Sequence, residues 1–193
     1  DVHIAEVIAE MEKLKLMENT IILFASDHGE LLGDHGLLFK GAFHYDCAVK
    51  IPLFISWRGH TEPKYTDALV QEIDFMPSLL DMCGIQIPAG VQGKSLTPLI
   101  EGKAEKLYDF ILVENDDEDW NMKLYTIRSK KWKYTHYESK PFGEMYDLEN
   151  DPEEFTNLWD SPDHKQIKEE LRLKLLDILI ATQDPLPPRI MKW

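Results

Sequence analysis

Apolar residues recur along the chain with two different periods, and the change between them divides it. Across residues 2–16, Ile4, Ile8 and Met11 fall at helical spacing with Glu and Lys between them, which predicts an amphipathic helix. After the turn-forming run Met17-Glu18-Asn19-Thr20 comes Ile21-Ile22-Leu23-Phe24-Ala25, apolar without alternation. Such a run fits a strand covered on both faces, as in a parallel α/β sheet. Ile51-Pro52-Leu53-Phe54-Ile55 predicts a second strand, with Pro52 near its start where a missing donor is tolerated. Asp74 is placed to cap a helix over residues 75–82, with Pro77 in its first turn and Gly84 as the stop.

Beyond about residue 105 the pattern shortens. Residues 110–114, 123–129, 132–137 and 144–148 are brief, partly alternating segments separated by turn formers, and they predict an antiparallel sheet. Asp151-Pro152-Glu153-Glu154 and Ser161-Pro162 predict helix starts with proline in the first turn. The last helix, residues 163–181, sets Ile167, Leu171, Leu175, Ile178 and Leu179 on one face. The acidic run Glu114-Asn115-Asp116-Asp117-Glu118-Asp119 is expected as a solvated loop. The expected division is residues 1–105 and 106–193. A doubly covered strand needs neighbours on both sides and this chain offers few, so the larger sheet is expected to be completed by a missing N-terminal half or another chain.

Composition narrows the classes. With 44% hydrophobic and 29% charged residues in 193, the chain reads as an ordinary globular protein. Its apolar runs are too short for a transmembrane segment. A net charge of −14 excludes nonspecific nucleic-acid binding, which needs a basic surface, and requires that cations be gathered locally if the substrate is an anion. Cys47 and Cys83 lack metal-ligand spacing and read as buried free thiols. The chain opens on Asp1-Val2-His3 without an initiator Met or a signal peptide, as expected of a processed or excised piece, and its compartment stays open.

Chemistry concentrates between residues 26 and 43. Ser26-Asp27-His28-Gly29-Glu30-Leu31-Leu32-Gly33-Asp34-His35-Gly36-Leu37-Leu38-Phe39-Lys40-Gly41 follows a covered strand, where ligands of open α/β sheets bind. Asp27 offers a hard oxygen and His28 an imidazole, two positions around a divalent ion. Lys40 is a mobile point charge able to meet an anionic oxygen. On these residues alone the segment is either a metal or anion site or a hydrogen-bonded turn.

A family pattern adds to this. Ser26-Asp27-His28-Gly29-Glu30, Gly33-Asp34-His35-Gly36-Leu37, Lys40 and Ile51-Pro52-Leu53 resemble the second half of the sulfatases of the alkaline-phosphatase superfamily. The resemblance continues through Asp74-Phe75-Met76-Pro77-Ser78-Leu79-Leu80, Gly93-Lys94-Ser95-Leu96 with Pro98-Leu99, Glu144-Met145-Tyr146-Asp147-Leu148, and Asn150-Asp151-Pro152-Glu153-Glu154 ahead of Asn157-Leu158. It implies the C-terminal part of an alkaline-phosphatase-like α/β/α sandwich followed by a small antiparallel sheet subdomain with a C-terminal helix. It also implies that Asp27 and His28 are paired metal ligands, that the divalent metal is calcium or else magnesium or manganese, and that Lys40 is the catalytic cation at the sulfate or leaving-group oxygen. Glu30, Asp34 and His35 receive no catalytic role, and His35 is expected to support the loop.

The nucleophile motif of that family, Cys/Ser-x-Pro-x-Arg, is matched at neither cysteine: Cys47 precedes Ala48-Val49-Lys50 and Cys83 precedes Gly84-Ile85-Gln86. The formylglycine made from that motif is therefore expected in an N-terminal half outside this chain, and the chain alone is expected to be inactive. The implied substrate is a sulfate ester, with carbohydrate, aryl and other esters all open. Rival readings are a phosphonate or phosphodiester hydrolase or phosphoglycerol transferase of the same superfamily, and a non-catalytic substrate-binding or interaction module. For the last, Trp120, Trp132, Tyr134 and His136 are candidates for a sugar-binding edge, with packing the alternative for each.

Overall fold

Five consecutive apolar residues demand cover, and Ile21–Ala25 forms strand β1 in a computed structural model that describes residues 1–117 and 121–183. The helix before it, α1 (Val2–Lys13), buries none of its residues, and Lys15 at φ 57° stops it short of residue 16. Strand β1 pairs with β2 (Leu53–Trp57) in antiparallel register, Ile21 opposite Trp57 through Ala25 opposite Leu53. This corrects the parallel arrangement expected for β1. The intervening segment carries a 3-10 turn at Asp34–Gly36 and the four-residue α2 (Asp46–Val49), neither long enough to cross over the sheet, so the chain turns back. Pro52 stands just outside the ladder. Among the described residues β1 and β2 pair only with each other.

Helix α3 (Phe75–Met82) has the expected bounds and ends at Gly84 with φ 69°. Asp74 does not cap it through its side chain. Its fully buried carboxylate instead accepts from the Gln71 N–H at 2.9 Å, the Lys94 N–H at 2.8 Å and the Tyr108 hydroxyl at 2.6 Å. Three donors satisfy a buried charge that would otherwise be costly. They also join the turn before α3 to the segment leading into the short helix α4 (Thr97–Ile100) and to residue 108. Cys83 is exposed and Cys47 half-buried, both free, so the expectation of two buried thiols fails at Cys83.

The alternating segments build a meander, β3 (Ile111–Asp117), β4 (Met122–Arg128), β5 (Trp132–Tyr137) and β6 (Gly143–Asp147), each antiparallel to the next. The acidic run is corrected in part, because residues 114–117 lie in the ladder of β3 rather than in a loop. Strand β4 satisfies their backbone, and Asp116 gains an ion pair to Lys123 at 2.8 Å. Residues 118–120, with Trp120, lie outside the described residues. The predicted helix start at Asp151-Pro152 is a turn. There the Asp151 carboxylate accepts the N–H groups of Phe155 (3.1 Å) and Thr156 (2.7 Å), and Glu154 takes a left-handed φ of 59°. The final helix, α5 (Lys165–Ala181), follows a single 3-10 turn at Pro162–His164.

Strand alternation gives this sheet two unlike faces. On one, Ile127, Tyr134 and Met145 pack with Leu171 and Leu175 of α5. The other is largely polar yet covered, with Thr126, Lys133 and Thr135 all essentially inaccessible. Against it lies the segment 42–48. Lys133 Nζ donates to the His44 carbonyl at 2.8 Å and lies 2.6 Å from Asp46 Oδ1 and 2.5 Å from Glu154 Oε1. Arg128 meets both Asp46 oxygens, at 3.1 and 2.7 Å. The Glu154 Oε2 accepts the Asp46 N–H at 2.6 Å. Burial pushes Asp46 upward, but Arg128 and Lys133 outweigh it and hold the carboxyl down at about 2. At Glu154 burial wins and the carboxyl is raised.

His44 is buried beside this group, with Nδ1 2.7 Å from Thr126 Oγ. Burial, reinforced by the Lys133 ammonium, lowers its pKa from 6.5 to about 4. Between those values the unfolded chain carries a proton that the native state rejects. Stability is therefore full above pH 6.5 and drains away as the pH falls toward 4. His44→Gln is expected to flatten that dependence by about 3 kcal/mol. Urea denaturation at a series of pH values measures it, and an unchanged slope would place the linked proton elsewhere.

Candidate functional site

At the carboxyl end of β1 the chain stops pairing and turns sharply. The Ser26 hydroxyl donates to the His28 carbonyl at 2.7 Å, and the His28 N–H donates to Asp27 Oδ1 at 3.0 Å. The imidazole Nδ1 lies 2.7 Å from the Gly29 carbonyl, which can only accept, so Nδ1 carries the hydrogen. That leaves the Nε2 lone pair facing outward. Lys40 Nζ lies 2.5 Å from it and Asp27 Oδ2 3.7 Å. The structure thus brings together all three predicted site residues, Asp27, His28 and Lys40. The Asp27 carboxyl is held below the ordinary range, first by His28 beside it, then by backbone N–H groups, and least by Lys40. Its side chain is 86% exposed.

Glu72 was not singled out in the sequence. Its carboxyl is raised by burial and then by the charge of Asp27, which puts a further acid within electrostatic reach of the pair. A glutamate just ahead of a helix start carries no signal of that in one dimension.

The donor set can be tested against a divalent ion. A carboxylate oxygen suits calcium, magnesium or manganese, while a neutral imidazole with its second nitrogen fixed by a carbonyl is a donor that transition-metal ions take more readily than calcium does. The pair fits as part of a coordination shell. Calcium uses about six to eight oxygens, and among the described residues no group of three or more His, Cys, Asp or Glu side chains is poised around one point. Two donors, Asp27 and His28, are fewer than such a shell needs.

The loop bearing the pair rests on residues 45–48. The Gly29 N–H donates to the Ala48 carbonyl at 2.7 Å, and a Cβ on residue 29 would stand 1.9 Å from the Cys47 oxygen. Only glycine permits that approach. Farther along, the His35 ring stacks on Tyr45 with centroids 3.7 Å apart and planes within 5°. Of the aromatic candidates for a sugar-binding edge, Tyr134 is in the core and Trp132 packs half-buried against it, while His136 is exposed.

Comparison with known proteins gives this arrangement its context. Residues 33–181 match the family described as N-sulphoglucosamine sulphohydrolase, C-terminal. An arylsulfatase of Clostridium perfringens is 35% identical over 189 residues, which cover 95% of this chain and 38% of that protein. A protein solved in complex with its substrate D-glucosamine-2-N,6-O-disulfate superposes with a TM-score of 0.85 at 27% identity, over 93% of this chain and 38% of the other. The phosphonate monoester hydrolase of Silicibacter pomeroyi superposes with a TM-score of 0.84 at 26% identity, over 95% and 39%. The chain therefore spans less than two-fifths of the length of that arylsulfatase.

Gly29→Ala is expected to force the loop away from Cys47, at an overpacking cost of about 1–3 kcal/mol. Equilibrium urea unfolding reads this directly. Undiminished stability would mean that the close approach at residue 29 is dispensable.

Proposed function

The chain belongs to the sulfatases of the alkaline-phosphatase superfamily, and from that membership we propose that it is the C-terminal part of a sulfuric ester hydrolase and contributes Asp27, His28 and Lys40 to the active site. The observation that supports this most directly is the convergence of the Asp27 carboxylate and the Lys40 ammonium on the outward-facing Nε2 of His28. A bound divalent metal, calcium by the family pattern, would supply Lewis-acid polarisation of the sulfate oxygens. Asp27 and His28 would hold it, with the Gly29 carbonyl fixing the imidazole in the tautomer that offers a lone pair. Lys40 Nζ lies 2.5 Å from that same lone pair, so holding a metal there would require the ammonium to swing aside. From its exposed position the ammonium would meet a substrate anion and stabilise charge developing on the leaving oxygen.

The nucleophile is not among this chain's motifs. On this reading a formylglycine belongs to the portion of the protein that matched relatives carry outside the matched region, and the same portion covers the free edges of the β1–β2 pair. The substrate is a sulfate ester, and a sulfated amino sugar is favoured by the neighbour that binds a glucosamine disulfate. Hydrolysis of a phosphonate ester is the second reading, since the phosphonate monoester hydrolase superposes almost as well.

Two assays separate these readings. In the longer protein, Asp27→Ala is expected to abolish metal retention and most turnover. Lys40→Ala is expected to keep the metal and lower kcat about 100–1000-fold. Turnover of sulfated glucosamine and of a phosphonate monoester, measured side by side, decides the ester class. The 193-residue chain by itself is expected to turn over neither. Wild-type kcat in Lys40→Ala would remove that residue from the chemistry, and clear turnover by the chain alone would overturn the placement of the nucleophile.

A further inference from the structure

We propose that Arg128 and Lys133, two cations of the antiparallel sheet, are positioning residues for the Asp27–His28 pair and act on it through residues 44–48. The inference rests on the reading of Asp27 and His28 as metal ligands. Neither cation touches that pair, and a short series of contacts connects them.

The loop that carries the pair is held at two points, and both lie on the same five residues. Gly29 hydrogen-bonds to Ala48 and passes so close to Cys47 that no side chain fits between them. His35 lies flat against Tyr45. Any movement of residues 45–48 therefore moves residue 29, whose carbonyl sets the ring orientation of His28.

Those five residues are fixed in turn from the sheet. Lys133 reaches from β5 to the His44 carbonyl and to Asp46, and Arg128 reaches from β4 to both oxygens of Asp46. Glu154 completes the group by accepting the Asp46 N–H while lying against the Lys133 ammonium. The Tyr45 hydroxyl donates to Glu144 of β6 at 3.1 Å, which secures the ring on which His35 stacks. Apolar packing could join a loop to a sheet with less desolvation, but it tolerates sliding. A bidentate guanidinium and a three-way ammonium do not, because their hydrogen bonds have direction. The set of charges fixes where α2 begins, and through α2 where the metal pair stands.

Manganese titration of the purified protein, followed by paramagnetic broadening of the His28 ring signals, tests this without reference to turnover. Arg128→Gln and Lys133→Met are each expected to weaken manganese binding about 10–100-fold. The methyl signals of Leu171 and Leu175, on the opposite face of the sheet, should keep their positions. Arg128→Lys, which retains the charge but loses the bidentate pair, should recover only part of the affinity. If Lys133→Met does not fold, Arg128→Gln carries the test, because Arg128 keeps some solvent access at 16% exposure. A folded Arg128→Gln protein that binds manganese like the parent would overturn the proposal. Absence of His28 broadening in the parent would instead overturn the metal assignment itself, and the positioning role with it.

Discussion

A buried ammonium group cannot remain charged unless the fold surrounds it with acceptors, and Lys133 sets that condition for much of this structure. With almost no solvent contact, it takes one carbonyl and two carboxylates from three places in the chain: residue 44, the start of α2 and the turn at residue 154. None of the three is close to β5 in sequence. Meeting the needs of one cation thus draws the loop-bearing half of the molecule onto the meander and fixes the turn at 151–154 where a helix would otherwise begin. Leaving any one of these acceptors out would strand charge in a low-dielectric interior.

Placement of charge also bears on the proposed sulfate-ester substrate, an anion that would have to meet an acidic chain. The net charge of −14 would repel a sulfate ester at long range. Two of the chain's basic residues are spent inside, on Asp46 and Glu154, whereas Lys40 stands exposed beside the His28 imidazole. On the proposed function, a divalent ion beside the lysine would make the end of β1 locally positive against an acidic background. Asp74 shows the same economy on a smaller scale. Its single buried carboxylate orders three segments through three donors, where a capping bond to α3 would have ordered one.

Much of this was legible in one dimension. Alternation along β4, β5 and β6 located the strands almost to the residue, because each has one apolar face and period two is hard to mistake. Helix α3 was bounded by Pro77 and Gly84, whose backbone constraints act locally. Only the family pattern singled out Asp27, His28 and Lys40 as a candidate site, since an Asp-His pair after a strand has no unique physical meaning. Strand direction at β1 and β2 was not legible, because an unbroken apolar run reports coverage and says nothing about polarity of pairing. Asp46, Arg128, Lys133 and Glu154 were also missed as a group. Each is an ordinary charged residue until register sets Arg128 opposite Lys133 on the inner face and residue 46 is folded over them. One signal was present: Thr126, Arg128, Lys133 and Thr135 share a strand parity, so a polar face had to meet something polar.

The two-faced meander also sets an order in which the molecule opens. Strands β4 and β5 are screened on one side by α5 and on the other by residues 42–48, so no local fraying exposes their backbone. Strand β3 lies at the border of the sheet. In deuterium exchange its amides are the ones to label early, while those of Thr126 and Thr135 survive until the two layers separate. The slowest-exchanging part of the protein is then neither the loop of Asp27 and His28 nor the longest helix, but a polar seam between them.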